Sequence, residues 1–201
     1  MLTSFDTEKI KQEILKNPCF LMDPIMIQWI NKYAKTFPSN SIFVELGTFM
    51  GGTTRQIAKA NPNAIVHTID INDTELWSKW NYNGLRNFFE RVGLNVNEKF
   101  IDLLKIQDLH LEDMPNVVRH TGDSLSLDID NISLLLIDSN HSNDHVLKEL
   151  NYYWPKIKSG GILFADDLDS TDALSVFNDF LKPKNLKMHI LLSRYGMVQK
   201  I

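Results

Sequence analysis

Ile42-Phe43-Val44-Glu45-Leu46-Gly47-Thr48-Phe49-Met50-Gly51-Gly52-Thr53-Thr54, followed by a helical run and then by Ala64-Ile65-Val66-His67-Thr68-Ile69-Asp70, decides the fold. A short β-rich apolar run breaks at a Gly-rich turn, passes into a helix at Thr53-Thr54 and returns as a second apolar run that ends in a carboxylate. That is a βαβ unit with a ligand-binding turn. Glycine is required in the turn because a tight strand-to-helix passage needs positive φ or close backbone approach. Asp70 falls at the carboxyl end of the second strand, where a carboxylate accepts the hydroxyl hydrogens of a ribose. The unit therefore points to an adenosine-containing ligand.

The glycine spacing narrows the ligand. In the dinucleotide fingerprint G-x-G-x-x-G the middle glycine lets the backbone approach a pyrophosphate. Here that position is Phe49, in the spacing G-x-x-x-G-G, which crowds a pyrophosphate and leaves room for a ligand without one. S-adenosylmethionine (SAM) meets that requirement.

The 201 residues suit one domain, 43% hydrophobic and 23% charged, with a net charge of −4 that argues against a nucleic-acid partner. Basic residues form no cluster. The single cysteine, Cys19, has no internal disulfide partner. The polar start Met1-Leu2-Thr3-Ser4-Phe5-Asp6 lacks the pattern of a secretory signal, and no apolar run approaches the length of a membrane span. A cytoplasmic protein with no membrane partner is expected.

Outward from the central unit, Asp6 to Asn17 reads as an amphipathic helix stopped by Pro18. A second helix starts at Asp23-Pro24, a cap followed by proline, with Ile25, Trp29, Ile30, Tyr33 and Phe37 as its apolar stripe before Pro38. Residues 1–38 thus form an N-terminal helical part. Asn72 to Asn116 holds no convincing strand and reads as two aromatic-rich helices, Thr74 to Arg91 and Asn97 to His110. That is more chain than one crossover needs, so residues 73–116 are expected to form a cap or a surface for a homo-oligomer. A third strand over Asn116 to Thr121 leads into Gly122-Asp123-Ser124, where Asp123 is placed either to meet an adenine amino group or to make a simple Asx turn.

Ile132 to Ile137 is a near-continuous apolar run, as expected of a parallel strand covered on both faces. A helix capped by Ser142 or Asn143 follows, with Val146, Leu147, Leu150, Tyr153, Trp154 and Ile157 as its core stripe and Lys158-Ser159-Gly160-Gly161 as its stop. The next strand, Gly161 to Ala165, ends at Asp166-Asp167. A helix from about Ser170 to Leu181 precedes Leu186 to Leu192 and Met197 to Ile201, which are close enough in sequence to pair only as an antiparallel hairpin across the turn Arg194-Tyr195-Gly196.

Asp138 and Asp166-Asp167 end two consecutive parallel strands, so all three fall in the cleft that holds Gly47 and Asp70. Converging carboxylates repel unless a cation sits among them, and an oxygen-only set points to Mg²⁺ or Mn²⁺. His141 and His145 have i, i+4 spacing, but no Glu follows His141 as a zincin motif requires, and His145 is expected on the helix surface.

The ordered set of Val44 to Gly52, Asp70, Gly122-Asp123-Ser124, Ile137 to Ser142 and Ser159 to Asp167 resembles the class I SAM-dependent methyltransferases. Within them it is similar to the metal-dependent small-molecule O-methyltransferases, the group of macrocin-type sugar O-methyltransferases and cephalosporin hydroxylase-like proteins. The resemblance implies one α/β domain over residues 1–201. Its fold would be a Rossmann-like, doubly wound seven-stranded sheet, mostly parallel with an antiparallel C-terminal strand and helices on both faces. It implies that Glu45, Gly47, Asp70 and Asp123 contact SAM, together with Thr48, Phe49 and Gly51 of the same turn and Ser124. Asp138, Asp166 and Asp167 would hold Mg²⁺ (or Mn²⁺), and His141 in D-x-x-H would be the general base toward a small-molecule hydroxyl acceptor such as a sugar or vicinal diol. A catalytically silent SAM-binding or assembly protein, a nicotinamide oxidoreductase and a metal-dependent hydrolase are the competing readings.

Overall fold

A computed structural model describes residues 22–73, 103–169 and 172–201, with Gln12 and Lys16. The helices expected over Asp6 to Asn17 and Thr74 to Arg91, and the start of that over Asn97 to His110, lie outside the described residues. In chain order the elements are α1 (Pro24–Ala34), β1 (Ile42–Leu46), α2 (Gly52–Ala60), β2 (Ile65–Asp70), α3 (Leu103–Leu111), β3 (Val117–Thr121), β4 (Ile132–Ile137), α4 (Asn143–Tyr153), β5 (Ile157–Ala165), α5 (Ala173–Leu181), β6 (His189–Ile190) and β7 (Gly196–Gln199).

The strands form one seven-stranded sheet in the order β3-β2-β1-β4-β5-β7-β6. Five are parallel, while β7 runs antiparallel between β5 and β6. The sheet is the doubly wound, mostly parallel one expected. Because β1 pairs β2 on one side and β4 on the other, the winding reverses there, and the crevice beyond the carboxyl ends of β1 and β4 is where such sheets bind ligands.

Alternation along the strands builds a core on each face. Val44, Leu46, Leu135, Ile137 and Leu163 pack against Val146, Leu150, Tyr153 and Phe177 of α4 and α5. Phe43, Val66, Leu134, Leu136 and Phe164 pack against Met26, Ile30, Ala34 and Ile57 of α1 and α2. Burial at about 25 cal/mol per Å² makes these two apolar layers the main stabilising contribution to the sheet.

Two local readings are corrected. The buried positions of α1 are Met26, Ile27, Ile30 and Ala34. Ile25 instead lies exposed beside the cap, where Asp23 accepts from its backbone N–H at 2.7 Å. The end of α4 also differs, since Tyr153 closes the helix and Trp154–Lys156 make a single 3₁₀ turn containing Pro155. Ile157 is already in β5, opposite Ile132, and the glycine pair serves a register shift before Ile162 meets Leu134. Gly161 is needed there because a Cβ would come within 2.9 Å of the Ile132 carbonyl oxygen. Among the described residues no helix is long and apolar enough to cross a membrane.

Candidate active site

The turn after β1 is built on backbone contacts. Gly47 has φ +97°, and a Cβ on it would lie 1.9 Å from the carbonyl oxygen of Asp138, so the turn presses directly on the end of β4. Phe49 has φ +46°; its N–H donates to Asp70 Oδ2 at 2.8 Å and its carbonyl accepts from Gln107 Nε2 at 2.8 Å. Asn72 N–H donates to Asp70 Oδ1 at 2.9 Å. Asp70 is thus fixed by two amides at the tip of β2, and each oxygen keeps a lone-pair direction for a ligand hydroxyl. Gly51, at φ +82°, opens α2 as its N-cap.

Glu45 lies beneath this turn, 1% exposed. Its Oε2 accepts from Thr54 and, at 2.8 Å, from Thr68, whose hydroxyl also meets Thr48 Oγ1 at 2.6 Å. Its Oε1 has no protein partner. Burial, assisted by the charge of Asp70, raises the Glu45 pKa to about 7 against the pull of the two threonines. The carboxylate therefore braces the turn from below, with one buried oxygen that has no protein partner.

Across the β1–β4 boundary the acidic residues do converge. Asp166 N–H donates to the Ile137 carbonyl at 3.1 Å and Asp167 N–H to Asp166 Oδ1 at 2.6 Å, with Asp167 itself at φ +54°. His141 Nε2 stands 3.2 Å from Asp167 Oδ2 and 4.0 Å from Asp138 Oδ1. Burial and the neighbouring Asp166 carboxyl push Asp138 well above the usual carboxylate range, and burial pushes Asp166 up to about 6. Burial and then the Arg194 guanidinium lower the pKa of His141, which favours the neutral ring. Arg194 is the residue that sequence reasoning passed over as part of a turn. It pairs with Asp167 Oδ1 through one terminal nitrogen and places Nε 3.4 Å from Asp166 Oδ1.

The third cluster joins β3 to α4. Asp123 Oδ1 caps the short turn at Ser124–Ser126 by accepting from Leu125 N–H at 2.8 Å. Ser124 turns inward, donating to Glu149 Oε1 at 2.5 Å with His145 Nε2 at 3.0 Å. Ser139 also donates to Glu149, at 2.5 Å. His145 is thus partly buried, 3.1 Å from Glu149, where a helix-surface residue was expected. Glu149 is fully buried on the face assigned to Leu147, which is exposed; burial raises its pKa against the pull of both serines and His145.

Residues 44–168 match the model of the methyltransferase domain family. This chain belongs to that family. It has the architecture of the class I SAM-dependent methyltransferases, and the nicotinamide reading falls with that assignment. The fold is shared with the O-methyltransferase NovP, at 14% identity and a TM-score of 0.61 over 88% of this chain and 79% of that one. It is shared too with CalS11, a TDP-rhamnose 3'-O-methyltransferase of calicheamicin biosynthesis, at 13% identity and a TM-score of 0.57 over 96% and 92%. A third likeness is TomG from Streptomyces achromogenes, an O-methyltransferase of tomaymycin synthesis solved in complex with SAM, at 12% identity and a TM-score of 0.56 over 100% and 91%. No curated protein is similar to the chain in sequence.

The methyltransferase turn fits its cofactor. Asp70 offers carboxylate lone pairs at the tip of β2, and Glu45 has a buried oxygen without a protein partner. The carboxylates do not fit a divalent ion as they stand. Arg194 already pairs with Asp166 and Asp167, and among the described residues no group of three or more His, Cys, Asp or Glu is arranged to hold a metal. The carboxylates expected from the sequence to hold Mg²⁺ or Mn²⁺ thus share their place with a guanidinium.

Arg194 was legible in principle. An antiparallel last strand must begin beside the end of β5, and Gly196 pairs Ala165. The two residues before Gly196 therefore had to fall beside Asp166 and Asp167.

Proposed function

We propose that this methyltransferase transfers a methyl group from SAM to a hydroxyl oxygen of a small molecule. The supporting observation is the junction of two half-sites, with Gly47 pressed on Asp138 so that the cofactor turn and the His141–Asp167 pair share one cleft end. SAM supplies an already activated methyl on a sulfonium. The protein then needs only to align an acceptor oxygen and remove its proton. Asp70 and the Phe49 turn hold the adenosine end, with Asp123 at the adenine edge. Asp167 orients His141 through Nε2, which leaves Nδ1 to take the acceptor's proton, and the lowered pKa keeps the ring neutral for that role. Oxygen as the acceptor atom also suits the O-methyltransferases that share the fold.

Incubating the protein with SAM and a panel of phenols, alcohols and polyols, with mass detection, tests the reading. Expected is a product one methyl group heavier whose formation requires an unblocked hydroxyl. Methylation of nitrogen or carbon alone would overturn it, and SAM binding with no product across the panel would favour the silent binding protein.

A further inference from the structure

Three carboxylates at neighbouring strand ends need positive charge, and the fold delivers it from an unexpected element. The β5–β7 pairing of Ala165 with Gly196 carries Arg194 to the acidic tip of β5. Its backbone is fixed there, since the Arg194 carbonyl accepts from Leu168 N–H at 2.8 Å and the Tyr195 carbonyl from Leu191 N–H at 2.7 Å. Tyr195 is 2% exposed, and its hydroxyl accepts from Asp23 N–H at 3.1 Å, anchoring the loop to the start of α1. Its ring lies 5.3 Å from the Arg194 guanidinium carbon. Gly196 is hemmed in, because a Cβ would come within 2.6 Å of Leu168 and 2.7 Å of Met188. The arginine thus projects from a rigid platform.

We propose that the Arg194 guanidinium is the resident cation of the Asp138–Asp166–Asp167 cluster, occupying the place a divalent ion would take and excluding Mg²⁺ and Mn²⁺ from it. Guanidinium is a planar fork that matches carboxylates through directed N–H bonds and cannot lose its charge. Mg²⁺ demands near-octahedral oxygen ligation at about 2.0 to 2.1 Å and retains waters, for which a side chain already seated among the carboxylates leaves no room. The proposal deepens the methyl-transfer reading and rests on it for its consequence. With no ion to chelate two neighbouring oxygens, the acceptor needs a single hydroxyl presented to His141, so simple alcohols and monophenols qualify as well as diols.

The test is Mn²⁺ titration of the full chain, followed by calorimetry and by the loss of the free-ion electron-spin signal, in wild type, Arg194→Met, Arg194→Lys and Arg194→Met/Asp167→Asn. Wild type and Arg194→Lys should take up no stoichiometric Mn²⁺ at concentrations where Arg194→Met binds one ion per chain. The added Asp167→Asn change should weaken that gained site by about 10- to 100-fold, the usual cost of disturbing a metal site. One tightly held Mn²⁺ per wild-type chain, weakened by Asp167→Asn, would overturn the proposal. So would a folded Arg194→Met protein that gains no site. Should Arg194→Met fail to fold, the wild-type titration still decides. Neither acceptor nor turnover enters the readout, so its failure leaves O-methyl transfer standing, and an absence of methylated product leaves the cation assignment standing.

Discussion

His141 and Asp70 stand on opposite sides of the cleft end and should fail in different ways when changed. His141 meets Asp167 at 3.2 Å, whereas Asp70 is held by the amides of Phe49 and Asn72. His141→Asn should therefore lower turnover by about 10²- to 10⁴-fold, the usual worth of a positioned base, while calorimetry shows S-adenosylhomocysteine affinity unchanged. Turnover near wild type would make His141 structural. Asp70→Asn keeps an acceptor oxygen but removes the charge, so the nucleoside should bind roughly 5- to 30-fold more weakly, equivalent to about 1 to 2 kcal/mol. Unchanged affinity would detach Asp70 from the ribose. These residues were readable because strand periodicity fixes which side chains reach the carboxyl ends. Glu149 and His145 were not, since each acts through a partner more than twenty residues away and from a helix face whose rotation the sequence left open. Ser124, for instance, reaches Glu149 25 residues along the chain.

Element phases were the weaker part of the reading. The α1 stripe kept Trp29, Ile30, Tyr33 and Phe37 against the core but exchanged Ile25 for Met26 and Ile27, and the buried face of α4 excluded Leu147 in favour of Glu149. An aliphatic residue and a buried, hydrogen-bonded carboxylate can compete for the same helical face, and periodicity counts only the first. Glycines were ambiguous for a related reason. Gly160-Gly161 resembles a helix stop but serves a strand irregularity, because Pro155 had already ended the helix. Gly47, in contrast, was readable, and it carries the next prediction. Its backbone is left-handed and its Cβ position is filled by Asp138 backbone at 1.9 Å, whereas Gly160, also at positive φ, has nothing within 4 Å. Gly47→Ala should cost roughly 3 kcal/mol or more, lowering the melting temperature by about 6 to 12 °C for a chain of this size, and Gly160→Ala only about 1 to 2 kcal/mol. Equal effects in thermal unfolding would show that the close approach to β4 is not what demands glycine at position 47.

At the scale of the molecule, the parallel sheet, its antiparallel end and the crevice where its winding reverses were all legible, because an apolar run covered on both faces has few other homes. The electrostatic consequence of burying so many titratable groups was not. Burial raises the Glu45 pKa to about 7, whereas His110, held under the same turn with its Nε2 without a protein partner, is lowered to about 4 by burial. The folded state binds the Glu45 proton more tightly than the unfolded chain, so that contribution to stability is complete below pH 4.5 and is lost as pH rises to about 7. His110 has the opposite sign. The unfolded chain takes its proton first, so stability is lost as pH falls from 6.5 to about 4. Each change amounts to about 3 kcal/mol, and over the shared window they nearly cancel. Removing one group should expose the other. Relative to wild type, Glu45→Gln should become progressively more stable as pH rises from 4.5 to 7, and His110→Gln progressively less stable from 4 to 6.5, in urea unfolding at fixed ionic strength. Taking variant minus wild type removes the contributions of Asp166, Glu149 and the other histidines, to the extent that distant sites add, whereas Asp138, whose pKa the Glu45 charge helps to raise, shifts with Glu45. Parallel stability curves for Glu45→Gln and wild type would mean that Glu45 is ionised beneath the turn throughout this range, its charge answered there by Thr54 and Thr68.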